Sequence, residues 1–210
     1  QLHMLNQEMM HMGSMIEEKI QKAIEALIGQ NRSLAKKIMD GDCEVDREQK
    51  KIENICFNLL MQQQPVARDL RVISAAMKMV TDMERIGDHA ADISEMTVMM
   101  SDTPYVADLE DIKKMASETV LMLIRSIEAY VEKDMLKAQS VIDHDDIVDD
   151  LFHKNKQDLI ELIQKNPAVS EQAADMLMVA KYFERIGDHA TNLAENIIFA
   201  LDDKKNTAGN

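Results

Sequence analysis

The sequence predicts an all-α fold of two tandem three-helix bundles, and three observations carry this prediction. The chain has 210 residues, among them 18 Met, 6 Gly, 3 Pro and no Trp. A β-sandwich, a barrel or a βαβ protein of this length needs more turns than so few turn-forming residues can provide. Apolar residues recur at steps of three and four almost throughout, which is the period of amphipathic helices. A heptapeptide, Glu-Arg-Ile-Gly-Asp-His-Ala, occurs twice, which indicates an internal duplication.

The first half predicts three helices in the order long, short, long. One helix extends from about residue 4 to 40 and ends at Gly41, because glycine favours the position after a helix C-terminus. A shorter helix follows to about residue 63. Pro65 suits the first turn of a third helix, which continues to about Met100 before the chain breaks at Ser-Asp-Thr-Pro.

The second half repeats this order. A long helix carries apolar residues from Leu109 to Val141, a shorter one carries them from Val148 to Leu162, and a last helix follows Pro167. The break between the halves divides the chain into two predicted domains, residues 1–103 and 104–210, each a three-helix bundle.

The charge of the chain limits its partners. Acidic residues outnumber basic residues 38 to 24, which gives a formal net charge of −14. Phosphate backbones and anionic lipids repel such a surface, whereas cations and basic protein surfaces are attracted to it. Cys43 and Cys56 cannot form a disulfide framework, and we interpret them as small core residues in a reducing compartment. No signal peptide or membrane-spanning stretch is visible.

The repeated heptapeptide has a core side and a carboxylate side. It starts at Glu84 and again, 100 positions later, at Glu184. On a helix the glutamate and the aspartate four residues later, Asp88 or Asp188, lie opposite the apolar residues. A like-charge pair one turn apart destabilises a helix by a few tenths of a kcal/mol. Its repetition indicates a bound cation, because two carboxylates at this spacing can hold a hard metal ion.

Two further acidic pairs have the same spacing. They are Asp42 and Asp46, near the predicted start of the second helix, and Asp145 and Asp149, near that of the fifth. If each shorter helix packs beside its long neighbour, each bundle presents two acid-x-x-x-acid pairs, and more oxygens favour a multinuclear or high-valent ion. One alternative is that Asp42 or Asp145 caps a helix, and Asp143 could cap in place of Asp145. Another is that the acidic face of each helix is simply solvated.

The other motif residues have structural interpretations. The arginine is placed to pair with the aspartate three residues later. A mid-helix glycine costs about 1 kcal/mol relative to alanine, so its presence in both copies indicates close approach of another backbone or of a ligand. The histidine flanks the apolar stripe, and we interpret it as buried and hydrogen-bonded rather than as a metal ligand. These residues are Arg85, Arg185, Gly87, Gly187, His89 and His189.

We expect that the chain is not an enzyme. A ferritin-like di-iron site needs Glu-x-x-His on core-facing helices, whereas here the histidine follows the glutamate by five residues and the acids face away from the core. The sequence has no phosphate-binding glycine loop, no G-x-S-x-G and no H-E-x-x-H. A carboxylate-cluster metalloenzyme with redox or phosphohydrolase activity stays an alternative.

The duplicated heptapeptide, the helix order and the segment 65–71, Pro-Val-Ala-Arg-Asp-Leu-Arg, together resemble the PhoU family over about residues 5–201. The resemblance implies two three-helix bundles and a cytoplasmic regulator of phosphate uptake. It implies two partners, the ATPase subunit of the phosphate ABC transporter and a sensor histidine kinase, and repression of the phosphate regulon when phosphate is plentiful. A homodimer is a further expectation. Because the chain begins at Gln1, the PhoU-like cytoplasmic module of a sodium–phosphate cotransporter stays an alternative.

The resemblance also implies metal binding. PhoU proteins bind surface clusters of metal, iron or zinc among them, through acid-x-x-x-acid motifs; Mg²⁺ or Ca²⁺ are alternatives for an oxygen-only site. The signature residues Asp69 and Arg71 have no counterpart in the second half, where Val169 and Glu171 occupy the offset positions; helix-surface ion pairing is their alternative role. The matching metal ligands are Glu84, Asp88, Glu184 and Asp188, with Asp42, Asp46, Asp145 and Asp149 as their partners.

Overall fold

A computed structural model describes residues 2–41, 43–62 and 67–202, and these residues form α-helices joined by short connections. The all-α prediction is confirmed. The first half consists of α1 (Leu2–Ile28), α2 (Arg32–Asp40), α3 (Cys43–Gln62) and α4 (Ala67–Met100). The second half consists of α5 (Glu110–Glu132), α6 (Met135–Lys165) and α7 (Ser170–Leu201), with a 3₁₀ turn at Pro167–Val169 before α7. The predicted helix start at Pro65 lies outside the described residues.

Each half contains a helix break that its apolar periodicity does not reveal. The single helix predicted for residues 4–40 is wrong, because Gln30 adopts a φ of 46° between α1 and α2. Asn31 then caps α2, and its side chain accepts a hydrogen bond from the N–H of Leu34 at 3.0 Å. In the second half Lys133 has a φ of 57°, and Asp134 caps α6 by accepting from two backbone N–H groups at 2.9 and 3.0 Å. The two breaks lie 103 positions apart, so the duplication extends beyond the heptapeptide at a shifted offset.

The second half does not have the predicted long, short, long order. Helix α5 ends well before Val141, and α6 then passes through both segments that we assigned to separate helices. In the first half Gly41 ends α2, whereas the equivalent position in the second half is His144 and the helix continues. Asp145 therefore lies inside α6, and the alternative in which Asp145 or Asp143 caps a helix is wrong.

Replacing Lys133 with glycine is expected to raise the free energy of unfolding by about 0.5–1 kcal/mol. The side chain of Lys133 is exposed, and its backbone adopts the left-handed conformation. Residues with a β-carbon are strained in this conformation, whereas glycine is not. As a control, Lys156→Gly at an exposed helical position of α6 should lower the free energy of unfolding by about 1 kcal/mol. Urea denaturation followed by far-ultraviolet circular dichroism measures the free energy of unfolding of both variants. A lower free energy of unfolding in Lys133→Gly would contradict the left-handed conformation.

The two halves join where α4 packs against α7 and α1 packs against α5. Within the halves, α1, α2 and α3 contact α4, and α5 and α6 contact α7. Since α4 and α7 carry the heptapeptides, both copies lie at the centre of the molecule. The core is filled by Met, Ile, Leu and Ala, with Phe183 as its largest fully buried side chain. Cys56 belongs to this core as predicted, but Cys43 is exposed at the start of α3, so the core interpretation is wrong for that residue.

Candidate metal centres

The motif glycine lets a second helix approach the carboxylate side of α4 and of α7. A β-carbon on Gly87 would lie 3.2 Å from Cγ1 of Val45 in α3. A β-carbon on Gly187 would lie 3.0 Å from Oδ1 of Asp145 and 3.4 Å from Cγ1 of Val148 in α6. The close approach predicted from the sequence is therefore made by the helix that carries Asp46 in the first half and by the helix that carries Asp145 and Asp149 in the second.

Three predicted ligands converge in the first half. One oxygen from each of Asp46, Glu84 and Asp88 lies within 4.8 Å of the other two. Oxygens that bind one cation at roughly 2.0–2.6 Å are separated by at most about 5 Å, so this spacing fits a single hard cation. The side chains of Glu84 and Asp88 are only 18% and 29% exposed, because α3 covers the face that appears solvated on an isolated helix. Asp42, the fourth predicted ligand, lies outside the described residues.

The four predicted ligands of the second half repel one another. The pKa of Asp145 is raised to about 6, first by burial and then by the charges of Asp149, Asp188 and Glu184. The pKa of Asp188 is also raised, first by burial and then by Glu184 and Asp149. Oδ1 of Asp145 is buried without a hydrogen bond of normal geometry, although the neighbouring Thr191 hydroxyl partly opposes the rise. A cation between these carboxylates would stabilise their ionised forms.

An arginine of the motif neutralises part of the first cluster. Nη1 of Arg85 donates a hydrogen bond to Oδ2 of Asp88 at 3.1 Å, which is the pair that the sequence predicts. Its Nε lies 3.6 Å from Oε2 of Glu84. Because the side chain of Arg85 is largely exposed, a metal ion can replace it without leaving a buried charge unpaired.

The second cluster is neutralised differently. Nζ of Lys181 lies 2.5 Å from Oε2 of Glu184. This pair was not predicted from the sequence, although the two residues are one turn apart. Arg185, predicted to pair with Asp188, lies against the ring of Tyr182 at 5.9 Å from its centroid. The two clusters therefore differ in their basic neighbours, although the motif is identical.

The motif histidines are half-buried where α4 meets α7. Nδ1 of His189 hydrogen-bonds to Oδ1 of Asp82 at 2.8 Å across the two helices, and Asn192 donates to the same oxygen at 3.2 Å. Nδ1 of His89 hydrogen-bonds to Asp92 at 3.1 Å, and the two imidazole rings are 5.5 Å apart. Burial lowers the pKa of His89 more than Asp92 raises it. The hydrogen-bonded role predicted for both histidines is confirmed, whereas Asp82 went unnoticed because its partners lie on another helix.

The segment 65–71 also contributes to the contact between the halves. Nη1 of Arg71 donates a hydrogen bond to the carbonyl of Asp202 at 2.9 Å, which joins the start of α4 to the end of α7. Arg71 therefore does more than pair with ions on its own helix surface. The repeat does not predict an equivalent contact in the second half, because Glu171 occupies the position offset from Arg71.

Fold and site define the class: a duplicated helical-bundle protein with one carboxylate cluster in each repeat. The PhoU domain family matches the chain twice, over residues 9–97 and 112–197, one match within each of the two predicted domains. The chain therefore belongs to the PhoU family, as the sequence resemblance predicts.

Similar proteins agree with this assignment. A curated relative from Clostridium acetobutylicum, named phosphate-specific transport system accessory protein PhoU homolog, is 37% identical over 97% of this chain and 94% of the relative. The homolog of the same name from Aquifex aeolicus is 34% identical over 88% of this chain and 84% of the relative. The crystal structure of PhoU from Pseudomonas aeruginosa matches with a TM-score of 0.90 and 26% identity, covering 95% of this chain and 96% of that one. A PhoU structure from Streptococcus pneumoniae, described as a phosphate transport system regulatory protein, matches with a TM-score of 0.88, 26% identity and coverage of 95% and 94%.

The family is one of accessory and regulatory proteins rather than of enzymes, as predicted from the sequence. Among the helices of the described residues, none combines the length and the apolar character that crossing a bilayer requires.

Proposed function

We propose that this chain is a metal-binding accessory protein of phosphate transport. It acts in the cytoplasm as an adaptor between the ATPase subunit of a phosphate ABC transporter and a sensor histidine kinase, and it represses the phosphate regulon when phosphate is plentiful. The observation that carries the metal-binding part is the convergence of Asp46, Glu84 and Asp88 in the first half. The mutual repulsion of the four predicted carboxylates in the second half supports a second centre. The names of the relatives support the role in phosphate transport.

Each half would hold its own metal. In the first half the ligands are Asp46, Glu84 and Asp88, whose oxygens are already within reach of one cation. The donors are all carboxylates, which favour hard ions such as Mg²⁺, Ca²⁺ or Fe³⁺ and also accommodate Zn²⁺. A bound cation supplies positive charge between α3 and α4 and between α6 and α7. In the second half the ligands are Asp145, Asp149, Glu184 and Asp188.

The charge of the chain supports the adaptor part. At −14 the protein is attracted to basic protein surfaces, and metal binding reduces this negative charge at the paired carboxylates. Metal loading would therefore reduce the electrostatic attraction between a basic partner and this acidic surface. A homodimer would present two such surfaces at once.

Reconstitution followed by elemental analysis tests the metal-binding part. Protein stripped with a chelator is incubated with iron, zinc, magnesium or calcium ions and desalted, and we expect at least one retained metal ion per half. The Glu84→Ala, Glu184→Ala variant should retain none. Unsubstituted protein that stays metal-free after reconstitution would overturn this part of the proposal.

A pull-down tests the adaptor part. Tagged protein is incubated with the transporter ATPase or with the cytoplasmic portion of the kinase, at low and at high phosphate concentration. We expect retention of both partners and a change in retention between the two concentrations. Retention of neither partner would contradict the adaptor role and leave the metal-binding part to its own test.

A further inference from the structure

A cleft of about 520 Å³ opens at the beginning of the second half. Its walls come from the segment before α5, from the first turns of α5 and from the C-terminal half of α6. Val106, Leu159 and Leu162 form its apolar part. The cleft is separate from the candidate metal centres, since none of their carboxylates lines it.

Asn155 lines this cleft and carries a buried acceptor without a partner among the described residues. The residue is only 6% exposed, and its Oδ1 atom makes no hydrogen bond within the described part of the chain. A buried amide oxygen without a donor is unfavourable, because its hydrogen bonds to water are lost on folding and nothing replaces them.

The first half shows that this position does not need a polar residue. Lys51 of α3 contacts Glu8 of α1, and Lys154 of α6 contacts Asp111 of α5, with both members of the pair displaced by 103 positions. The residue after Lys51 is Ile52, which is fully buried in the core. The duplicated fold therefore accommodates an apolar side chain where the second half has an asparagine, so the asparagine calls for another reason than packing.

The charge around the cleft indicates what the acceptor binds. Five carboxylates and three lysines line the cleft, so negative charge is in excess. Lys154 is already engaged by Asp111 and Asp158, and Lys114 lies 3.9 Å from Asp111. An anion would be repelled by the remaining acids. A group that donates hydrogen bonds, carries positive charge and has an alkyl stem complements the amide oxygen, the acids and the apolar wall together.

We propose that this cleft binds an alkylammonium or guanidinium group, which donates a hydrogen bond to Oδ1 of Asn155 and is neutralised by the surrounding carboxylates. The alkyl stem of the ligand packs against Leu159 and Leu162. The group belongs either to a basic side chain of a protein partner or to a free amine, and the two sources share this chemistry.

Titrations of ¹⁵N-labelled protein, followed by ¹H–¹⁵N NMR, test the proposal. Agmatine represents a free amine, and the peptide acetyl-Ala-Arg-Ala-amide represents a side chain on a partner. The same peptide with citrulline in place of arginine is the uncharged control. We expect shifts at Asn155 and its neighbours with agmatine, with the arginine peptide or with both, and at least tenfold weaker effects with citrulline.

Three variants define the role of the asparagine. Asn155→Ile, which introduces the residue of the first half, should weaken binding by about 10- to 100-fold, the effect of one hydrogen bond to a charged group. Glu161→Gln at the rim of the cleft keeps the core intact and should weaken binding several-fold. Asn54→Ile, the same change at an exposed site of α3, should bind as the unsubstituted chain does. The proposal would be overturned if neither cationic probe bound. It would also be overturned if Asn155→Ile and Glu161→Gln bound the probes as tightly as the unsubstituted chain does.

Discussion

The Asp145→Asn, Asp188→Asn variant is expected to melt at a higher temperature than the unsubstituted chain when both are free of metal. Burial and neighbouring carboxylates raise the pKa of both aspartates, so ionising them at neutral pH costs folding free energy. Removing the two charges should stabilise the protein by about 1 kcal/mol after solvent screening, which corresponds to roughly 2–4 °C. Differential scanning calorimetry in the presence of a chelator measures the change.

With metal present, the unsubstituted chain should melt at a higher temperature than the variant. At about 100 times its dissociation constant, a ligand that binds only the folded state adds about 2.7 kcal/mol, or roughly 5–10 °C at this chain length. We expect this rise once for each of the two centres in the unsubstituted chain, and in the variant only the rise that comes from the first centre. The control Asp143→Asn, Asp150→Asn removes two exposed charges from the same helix and should keep the full response.

The stability advantage of the variant should depend on pH. The pKa of Asp145 is raised to about 6, so the folded metal-free protein takes up a proton there as the pH falls from 7.5 to 5, while the unfolded chain takes it up only near pH 4. The stability advantage of the variant should therefore shrink towards pH 5. A variant that melts lower at neutral pH, or that keeps the full metal response, would contradict the second centre.

Phe183→Ala is expected to lower the free energy of unfolding by about 3–5 kcal/mol, because it leaves a cavity at the largest fully buried side chain of the described core. The offset position of the first half, also fully buried, is Met83. Phe183→Met therefore installs a side chain that the equivalent site already accommodates, and it should cost less than about 1.5 kcal/mol. Urea denaturation at equilibrium measures both losses. Similar losses in the two variants would show that the repeats do not pack their central helices alike.

Much of the fold was predictable because it depends on local chemistry. The period of the apolar residues predicted helices throughout the chain. Gly41 was predicted to end a helix and it ends α2, and Pro167 was predicted to precede the last helix and it lies in the 3₁₀ turn before α7. The breaks at Gln30 and Lys133 were not predictable from the same pattern. An apolar stripe resumes on the same side after a short interruption, so periodicity does not register one residue in a left-handed conformation.

The candidate site was predictable only in part. Acid pairs four residues apart appear in the sequence, and so does the glycine whose cost required an explanation. That Asp46 reaches Glu84 and Asp88 depends on which helix lies against Gly87. The unequal neutralisation of the two clusters depends likewise on side chains whose partners are set by packing, such as Arg185 against its ring.

By itself the sequence determined that this protein is helical, acidic and duplicated, and that each copy carries a conspicuous pair of carboxylates. These properties follow from composition, period and identity, which are local. Only the tertiary structure decided that α4 and α7 pack together, that α3 and α6 supply the remaining carboxylates, and that Asn155 lies at a cleft where its counterpart Ile52 lies in the core. The physical reason is that a helical pattern shows which face of a helix is covered, whereas the identity of the covering helix depends on contacts between residues far apart in the chain.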